Sequence, residues 1–388
     1  MATSSPLDST AVPIPHTYFR DDSDPQSLPF LYPRERFWVE HQSWLEQQGY
    51  RLRPRYQPDW RPSWLGTATK HWDCEDARLR QLAPVMDAVC ISDGTPVVLK
   101  VINTAKHPDE VEIGSFFMAE PLVSDPANHC RALRTVLQLP KETNQVILVM
   151  PLLRRLDRPR FDTIGEIVAL FEQLFEGLQF MHKHRVAHRD CTFQNILMDG
   201  DPLFSDPWRP IHQGLARDFS RRLKHRMRTA RSVNYHLIDF GLSRKYTADQ
   251  CPPVEPIIFG IDRTVPEFQT IDGEKPFYAD PFPTDVYYLG NMIREHFLTH
   301  HIRGLEFMWP LVQDMVQNEP RGRPTMDEVV KRFEGIRKQL SYWKLRSRAV
   351  RDSDIPSVEF FRGFAHFGRR IRYMLTGVPP IPMTARTE

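Results

Sequence analysis

Charged and polar residues recur in this sequence at the ends of apolar runs, and their order is the first feature to explain. Lys100 closes the run VVLK, Asp190 and Asn195 stand five positions apart in AHRDCTFQN, and Asp239 follows the run YHLI. Transfer of a γ-phosphoryl group needs a cation on the α and β phosphates, ligands for Mg²⁺, and a carboxylate facing the acceptor hydroxyl. Lys100 can supply the cation, Asp239 and Asn195 the metal ligands, and Asp190 the carboxylate.

The segments around Lys100 predict strands. MDAVCISDG and PVVLKVI are β-rich runs joined by a hairpin turn at Ser92-Asp93-Gly94-Thr95. HPDEVEIGSFFMAE follows as a short helix, and QVILVMPLL, residues 145–153, predicts a buried strand. This part of the chain is therefore predicted to be strand-rich with one helix.

Helices are predicted on both sides of the strand-rich part. ERFWVEHQSWLEQQG predicts an amphipathic helix with Gly49 as its C-cap. Thr163 and Glu166 form a capping box ahead of a long amphipathic helix that runs into AHRDCTFQN, and Thr325 with Glu328 opens a further helix. The second half of the chain is therefore predicted to be mainly helical.

This set of residues, in this order, resembles the eukaryotic protein-kinase superfamily. The resemblance covers roughly residues 84–340 and rests on six motifs in the family's order. They are VVLK ending at Lys100, HRDCTFQN at 188–195, Asp239-Phe240-Gly241, VPE at 265–267, Asp285 to Gly290, and Arg-Pro-Thr at 323–325. Any one of them could arise by chance, but six in order are specific.

The resemblance implies an α+β, bilobal protein-kinase-like fold, with a small β-rich N-lobe and a larger, mainly α-helical C-lobe. ATP and Mg²⁺ are expected in the cleft between the lobes. Five parts are predicted. The first two are a Pro-rich disordered leader (1–33) and an N-terminal extension with the amphipathic helix (34–83). The others are the N-lobe and hinge (84–153), the C-lobe with a basic insert near 200–233 (154–340), and a tail (341–388).

The resemblance also implies a role for each site residue. Asp190 is expected to orient and deprotonate the substrate hydroxyl, with Lys100 and Asn195 in the catalytic set and Asn195 and Asp239 as the metal ligands. Lys100 is expected to pair with Glu112, although Glu110 is a rival because the helix register is uncertain. The nucleotide-binding residues are then expected to be Lys100, Glu112, Met150, Leu153 and Asp239.

Five further residues carry structural roles by the same resemblance. Glu267 is expected to form an ion pair with Arg323, and Asp285 to brace the catalytic loop from beneath. His188 and Phe240 are expected to belong to the packed spine that links the lobes.

A narrower resemblance is to a divergent kinase-like group expanded in mushroom-forming (basidiomycete) fungi. It rests on HRDCTxxN, the long insert before IDFGLSR, DPxNHC at 125–130 and the leader WLEQQGYRLRPRY.

The sequence departs from the kinase pattern in two places that concern catalysis. No GxGxxG precedes the hairpin, and Gly66 is the only glycine between Trp64 and Asp93. Kinases use those glycines to bring backbone N–H groups onto the phosphates. Thr192 stands where serine/threonine kinases carry lysine, and Gln194 where tyrosine kinases carry arginine. The acceptor class is therefore left open, with serine or threonine as the default.

Three segments outside the motifs have alternative interpretations. The basic stretch RRLKHRMRTAR, residues 221–231, is either a solvated extension, or a docking patch for acidic partners or a weak nuclear address. The activation segment, Asp239 to Glu267, has in its middle DQCPPVEPIIFGID, which lacks any hydroxyl. By the resemblance Arg189 is of the type that binds an activating phosphate, so activation by phosphate and a permanently ordered segment are both open.

The tail stretch SVEFFRGFAHFGRRIRYML predicts a basic amphipathic helix with an apolar face of Phe360, Phe364, Phe367, Ile371 and Met374. That face is expected to pack on its own domain or, alternatively, to lie on an anionic membrane surface.

Composition limits the class of protein. Hydrophobic residues make up 41% and charged residues 26% of 388, and the net charge of +2 does not favour a specific nucleic-acid partner. The five cysteines form no CxxC pair, and the N-terminus has no apolar core, so an intracellular protein with reduced thiols is expected, in the cytoplasm or nucleus. The oligomeric state and the protein substrate are left open.

Three functions therefore remain from the sequence. The first is an ATP-dependent protein kinase that phosphorylates a protein hydroxyl. The second is a pseudokinase that serves as a nucleotide-binding or protein-binding scaffold, which the missing glycine loop favours. The third is a small-molecule phosphotransferase, a family that as a rule lacks the DFG, APE-like and late arginine motifs found together here.

Overall fold

The computed structural model describes residues 31–32, 35–70, 74–76, 84–206, 208, 213–216, 221–269, 278–299 and 302–383. The leader predicted over residues 1–33 lies outside these residues except at Leu31 and Tyr32. The chain divides into two compact units, Met1–Lys100 and Val101–Glu388.

The elements of both units follow in chain order. The helices are α1 (Arg36–Glu40), α2 (Gln42–Gln47), α3 (Pro108–Met118), α4 (Ile164–Lys183), α5 (Pro266–Gln269), α6 (Pro281–Ile293), α7 (Trp309–Met315), α8 (Met326–Gln339), α9 (Tyr342–Leu345) and α10 (Pro356–Leu375). The strands are β1 (Tyr50–Leu52), β2 (Val85–Cys90), β3 (Pro96–Asn103), β4 (Thr135–Gln138), β5 (Gln145–Pro151), β6 (Arg154–Arg155), β7 (Val186–Ala187), β8 (Ile196–Met198), β9 (Tyr235–Leu237), β10 (Arg244–Lys245), β11 (Glu255–Pro256), β12 (Tyr278–Ala279), β13 (Ile302–Arg303) and β14 (Val350–Arg351).

The first unit contains the predicted hairpin between β2 and β3, and the structure confirms it. The amide of Cys90 donates to the carbonyl of Thr95 at 2.8 Å. Gly94 has φ +72°, a conformation that glycine adopts without the penalty that a Cβ brings. The Asp93 carboxylate accepts the amide of Thr95 at 2.8 Å and closes the turn. Strands β2 and β3 pair antiparallel, with Lys100 opposite Val85.

An edge strand lies within the segment that the sequence assigned to the N-terminal extension. Strand β1 pairs antiparallel with β2, Tyr50 opposite Cys90. The chain from 53 to 84 therefore connects two neighbouring strands of one sheet, and Gly66 is its only glycine. This connection is fixed near its start, because the buried Arg55 guanidinium binds the Glu35 carboxylate at 2.8 and 2.9 Å.

The helix predicted ahead of β1 forms as two short helices. Helices α1 and α2 are separated at His41, whose backbone leaves the helical region at φ −99° and ψ 1°. Trp38 and Leu45 are buried. Gly49 has φ +89° directly after α2, so its role in ending the helix is confirmed.

Helix α4 is the central element of the second unit. Thr163 accepts the amide of Glu166 at 3.1 Å, which is half of the predicted capping box. The other half does not form, because the Glu166 carboxylate accepts the amides of Asp162 at 2.7 Å and of Thr229 at 2.8 Å. At α8, by contrast, both halves of the predicted box are present between Thr325 and Glu328.

The core of the second unit surrounds α4. It includes Phe171, Leu174 and Phe175 of that helix, together with buried side chains of α6, α7 and α8. Helix α6 approaches α7 closely at Gly290, where a Cβ would lie 2.7 Å from the Cβ of Met315. The antiparallel sheet of β6, β8 and β9 and the pair β7–β10 hold the loops that follow α4.

The basic stretch 221–231 is only partly solvated. Arg221 and Arg222 are exposed, but Arg228 is 2% exposed and donates to the carbonyl of Leu156 at 2.8 Å. The Arg228 guanidinium also lies over the ring of Phe161 at 4.3 Å. One end of the stretch is therefore structural, and the other carries exposed positive charge.

The tail helix packs on its own unit through its polar face, so the prediction that its apolar face is buried is wrong. His366 and Arg369 bind the Asp162 carboxylate at 3.3 and 2.6 Å. Phe360 and Phe364, at opposite ends of one turn, are 62% and 65% exposed, and the other predicted apolar positions are also exposed. The ion-paired carboxylate of Asp162, next to α4, therefore determines which face of α10 turns inward.

No helix among the described residues is long and apolar enough to cross a membrane.

Candidate active site

The loop after α4 is held in place by one buried carboxylate, as predicted. Asp285 of α6 is fully buried and accepts the backbone amides of His188 at 2.7 Å and Arg189 at 2.6 Å. His182 of α4 reaches the same carboxylate at 3.1 Å. Arg189 has φ +66°, which is costly for a residue with a side chain and persists only where neighbouring contacts fix the backbone. Asp285 supplies those contacts.

Asp190 and Asn195 meet directly. Asn195 Nδ2 donates to the backbone carbonyl of Asp190 at 3.0 Å and to its Oδ2 at 2.8 Å. Both side chains are buried, Asp190 with 7% of its surface exposed. Since the amide nitrogen of Asn195 is engaged with Asp190, its Oδ1 is the atom left to accept a cation.

Asp239 is positioned by the strand before it. The amide of Ile238 donates to the carbonyl of Asn195 at 3.0 Å, and His188 Nε2 contacts the carbonyl of Ile238 at 3.1 Å. Asp239 itself has φ +67°, the left-handed conformation, and its Oδ1 accepts the amide of Gly241 at 3.4 Å. The backbone that carries Asp239 is thus hydrogen-bonded to the loop that carries Asp190.

The electrostatic setting of Asp190 suits a group that accepts a proton. Burial raises the pKa of Asp190 above its ordinary value, and the negative charge of Asp239 acts in the same direction. The hydrogen bonds from Ile261 and Asn195 and the neighbouring His188 lower it and partly offset the rise. A raised pKa makes the carboxylate a better general base than an exposed aspartate.

The glutamate of α3 that lies against the DFG turn is Glu110, the rival position, and not the expected Glu112. Glu112 is exposed, whereas Glu110 is 4% exposed. A Cβ built on Gly241 would lie 3.1 Å from Glu110 Oε2, which places that carboxylate against the DFG turn. His107, at the start of α3, adds a hydrogen bond from its Nδ1 to the Gly241 carbonyl at 3.0 Å.

The rings predicted to form a packed spine are in contact. The Phe240 ring lies 5.9 Å from those of His188 and Phe117, measured between centroids. Phe117 belongs to α3 and is fully buried. The DFG turn is therefore packed between helix α3 and the catalytic loop.

The activation segment contacts Asp190 through its backbone, a feature that the sequence did not predict. The amide of Ile261 donates to Asp190 Oδ1 at 2.9 Å. A Cβ added at Gly260 would lie 2.4 Å from that oxygen, so only glycine allows the backbone to come this close. The one signal in the sequence is a single glycine inside the apolar run PIIFGID.

Arg189 is occupied by a carboxylate of the same segment. Its Nη1 donates to Glu255 Oε2 at 3.3 Å, and its Nη2 donates to the carbonyl of Pro256 at 3.1 Å. Arg244 reaches the other oxygen of Glu255 at 3.2 Å. Two arginines therefore share one carboxylate at the position where an activating phosphate was considered.

The predicted ion pair after the activation segment is present. The Arg323 guanidinium binds both oxygens of Glu267 at 2.8 and 2.6 Å, and Thr284 donates to the same carboxylate at 2.8 Å. Burial alone would raise the pKa of Glu267, but the hydrogen bonds and charge of Arg323 outweigh it and hold the pKa below its ordinary value. The segment is thus anchored to α6 and to the turn before α8.

The remaining predicted residues lie on strands or loops within their own units. Met150 is half-buried at the end of β5 and packs against Leu148 and its neighbours, and Leu153 is half-buried just beyond that strand. Lys100 is half-buried on β3 in the first unit. Thr192 is buried beside Asp190, and its hydroxyl has no hydrogen-bond partner among the described residues.

The donors in the second unit fit Mg²⁺. A carboxylate at Asp239 and the side-chain carbonyl of Asn195 are hard oxygen ligands, and Mg²⁺ is usually held by one or two such groups together with phosphate oxygens and water. The hydrogen bonds of Asn195 leave its carbonyl oxygen for this purpose.

Comparison with known families agrees with this geometry. The protein kinase domain profile matches residues 81–293, more than half of the chain, so this chain belongs to the protein kinase family. The predicted α+β protein-kinase-like fold class is confirmed by this match. The search of curated proteins found no match.

Proposed function

We propose that this protein is an ATP-dependent protein kinase that transfers the γ-phosphate of ATP to a protein hydroxyl, serine or threonine by default. The observation that carries the proposal is the 2.8 Å hydrogen bond between Asn195 Nδ2 and Asp190 Oδ2, in a loop bonded to the strand that presents Asp239. This arrangement supports a site in which a base and two oxygen ligands for a cation act together.

Each residue then has a defined task. Asp190 accepts the proton of the substrate hydroxyl, because each of its oxygens has a second acceptor position beyond the bonds to Ile261 and Asn195. Bound Mg²⁺ neutralises charge on the phosphates. Asn195 and Asp239 hold that ion through their side-chain oxygens, and Lys100 is assigned to the phosphates from its motif.

Glu110 takes the role that the sequence gave to Glu112. Its burial and its position at Gly241 support it as the functional glutamate of α3, and its pairing with Lys100 is assigned from the motif alone. Met150 and Leu153 remain proposed contacts of the adenine end of the nucleotide.

A pseudokinase is the second candidate, and two observations favour it. The connection between β1 and β2 contains a single glycine, Gly66, where kinases place several to cover the phosphates. Thr192 stands near the base without the positive charge that serine/threonine kinases have there. Retention of Asp190, Asn195 and Asp239 together favours the enzyme. No specific observation favours the small-molecule phosphotransferase.

Nucleotide binding separates these candidates in two stages. The first stage is thermal unfolding of the full chain against rising ATP, with and without Mg²⁺. A ligand that binds only the folded state adds about 2.7 kcal/mol at a hundredfold excess over its Kd. We expect a Mg²⁺-dependent shift that Lys100→Ala and Asp239→Asn remove and that the exposed control Asp249→Asn leaves unchanged.

The second stage is turnover. Binding followed by phosphate transfer supports the kinase, and binding without transfer supports the pseudokinase. No shift with saturating ATP and Mg²⁺ would contradict both nucleotide-binding functions.

Two broader assignments are also proposals. Five free cysteines, with no disulfide, support an intracellular compartment with reduced thiols. Membership of the kinase-like group of mushroom-forming fungi rests on the sequence resemblance alone.

A further inference from the structure

A large basic cavity lies in the second unit, built from the basic stretch, the segment just before α4 and the tail. Its volume is about 1110 Å³, and nine arginines and one histidine line it against two aspartates, counted among the described residues. The residues come from β6 and the turn after it, from the insert at 213–227, from 348–354, and from helix α10. Segments far apart in the sequence thus direct positive charge into one space.

Each of the two aspartates of the lining contacts two basic side chains. Asp354 binds Arg160 at 2.5 Å and Arg362 at 3.3 Å. Asp162 binds Arg369 at 2.6 Å and contacts His366 at 3.3 Å. Outside the lining, Asp157 pairs with Arg155 and Arg158, and Glu359 pairs with Arg348. Four carboxylates therefore balance part of the charge of the nine lining arginines, and an excess of positive charge remains.

Two further arginines show that the positive charge is concentrated. Arg154 is 2% exposed, lies between the rings of Phe204 and Trp208 at 4.1 and 4.4 Å, and forms no ion pair with any described residue. Burial lowers the pKa of Arg154 to about 10, with the positive charge of Arg228 contributing. Burial also lowers the pKa of Arg351, and the positive charge of neighbouring Arg160 lowers it further.

We propose that this cavity binds a compact ligand carrying several phosphate groups, of the inositol polyphosphate class. Guanidinium groups bind phosphate through two parallel hydrogen bonds, and they remain charged at all physiological pH values. The volume is close to that of sites for small organic ligands. Arginines that converge on one concave space fit a compact polyanion better than an extended chain.

The proposal does not depend on phosphotransfer at Asp190, because none of the cavity residues belongs to that site. The phosphate cluster could be a free molecule or the headgroup of a lipid. Helix α10 contributes Arg362 and Arg369 to the lining and carries the exposed Phe360 and Phe364. The same helix could therefore reach a membrane that presents the headgroup, and the experiment separates the two sources.

Calorimetry of the full chain with inositol hexakisphosphate, at physiological salt and with saturating ATP and Mg²⁺, is the test. The variant Arg158→Gln with Arg222→Gln removes two lining cations that are exposed and therefore not needed for folding. The matched control, Arg321→Gln with Arg332→Gln, removes the same charge from other surfaces of the second unit. Thermal unfolding of each variant checks that it is folded.

We expect inositol hexakisphosphate to bind, and the cavity variant to weaken binding by roughly tenfold or more for each lost charge-assisted hydrogen bond. The control pair should change affinity less than about threefold, the effect of a general loss of charge. Absence of binding, equal weakening by the two pairs, or binding of a phosphopeptide but not of inositol hexakisphosphate would each overturn the proposal.

Vesicles of phosphatidylcholine with and without a phosphoinositide identify the source of the phosphates. Binding to phosphoinositide vesicles that is lost in Phe360→Ser with Phe364→Ser, and also in the cavity variant, supports a lipid headgroup. Binding of the free polyphosphate that is unchanged in the phenylalanine variant supports a soluble ligand. Both results support the phosphate-binding cavity.

Discussion

Replacing Gly260 by alanine tests the contact between the activation segment and Asp190. The new Cβ would lie 2.4 Å from Asp190 Oδ1 and 3.0 Å from its Cγ, far closer than carbon and oxygen pack in proteins. Gly260 does not have a positive φ, so alanine introduces no backbone strain of its own. Either the segment or the Asp190 side chain must move, and the 2.9 Å hydrogen bond from Ile261 is then lost.

The size of the effect follows from that hydrogen bond. A hydrogen bond to a charged group contributes about 1.5–3 kcal/mol, which corresponds to roughly 10- to 100-fold in rate if it is needed to orient the base in the transition state. We therefore expect kcat for phosphate transfer to fall by roughly that factor in Gly260→Ala. The affinity for ATP and Mg²⁺, measured by thermal unfolding, should stay unchanged because Asn195 and Asp239 are untouched.

Two control variants separate the amide from the added methyl group. Ile261→Ala keeps the backbone N–H and should keep most of kcat, whereas Ile261→Pro removes the donor and should reproduce the loss. Gly335→Ala adds a methyl group where nothing lies within 4 Å and should be neutral. An unchanged kcat in Gly260→Ala would refute the role of this contact, and an increased kcat would mean that Ile261 restrains Asp190.

Three further predictions concern other contacts of the second unit. Glu110→Ala should lower phosphate transfer and Glu112→Ala should not, because only the first carboxylate is buried against the DFG turn; equal effects in a kinase assay would contradict the assigned register. Glu255→Gln should lower activity and increase proteolysis of the activation segment, because two arginines lose their shared carboxylate, and phosphatase treatment of the wild type should have no effect. If phosphatase abolishes activity, a phosphate and not Glu255 controls the segment. Glu267→Gln should cost about 3–5 kcal/mol in unfolding free energy at neutral pH, since it breaks a buried ion pair. The pKa of Glu267 is lowered in the folded state. The extra stability of the wild type is therefore present above the ordinary glutamate pKa and is lost as the pH falls toward the folded pKa. A stability difference between wild type and variant that stays constant down to pH 3 in denaturant titrations would contradict the assignment.

Motifs with fixed local spacing could be interpreted from the sequence. Asp190 and Asn195 were expected to share a loop, and they are joined by a hydrogen bond. The pairing of Glu267 with Arg323 and the bracing role of Asp285 were expected from motif order, and the structure has both. These features were predictable because the family places them at characteristic points of the chain.

Choices between two faces of one helix could not be predicted. Glu110 and Glu112 are two positions apart and point to nearly opposite sides of α3. Apolar residues occur on several sides of that helix, Val111, Ile113 and Phe116 among them, so their spacing does not identify the inner face. The register became clear only from contacts with the DFG turn.

The tail helix shows the same limit more strongly. Its spacing predicted a face of phenylalanines, and that face exists. The sequence could not show that Asp162, about 200 positions earlier, binds Arg369 and holds the opposite face inward. The contact of Ile261 with Asp190 was also missed, because it is made by a backbone amide that no side-chain motif encodes.

The central claim is that Asp190, Asn195 and Asp239 form a working phosphotransfer site. Transfer of labelled γ-phosphate from ATP to a mixture of protein substrates, compared between the wild type and Asp190→Asn, tests it most directly. We predict Mg²⁺-dependent labelling of serine or threonine that falls by at least about a hundredfold in Asp190→Asn, as loss of a general base requires. Labelling equal in the two proteins, or no labelling by a wild type that binds ATP, would contradict the claim.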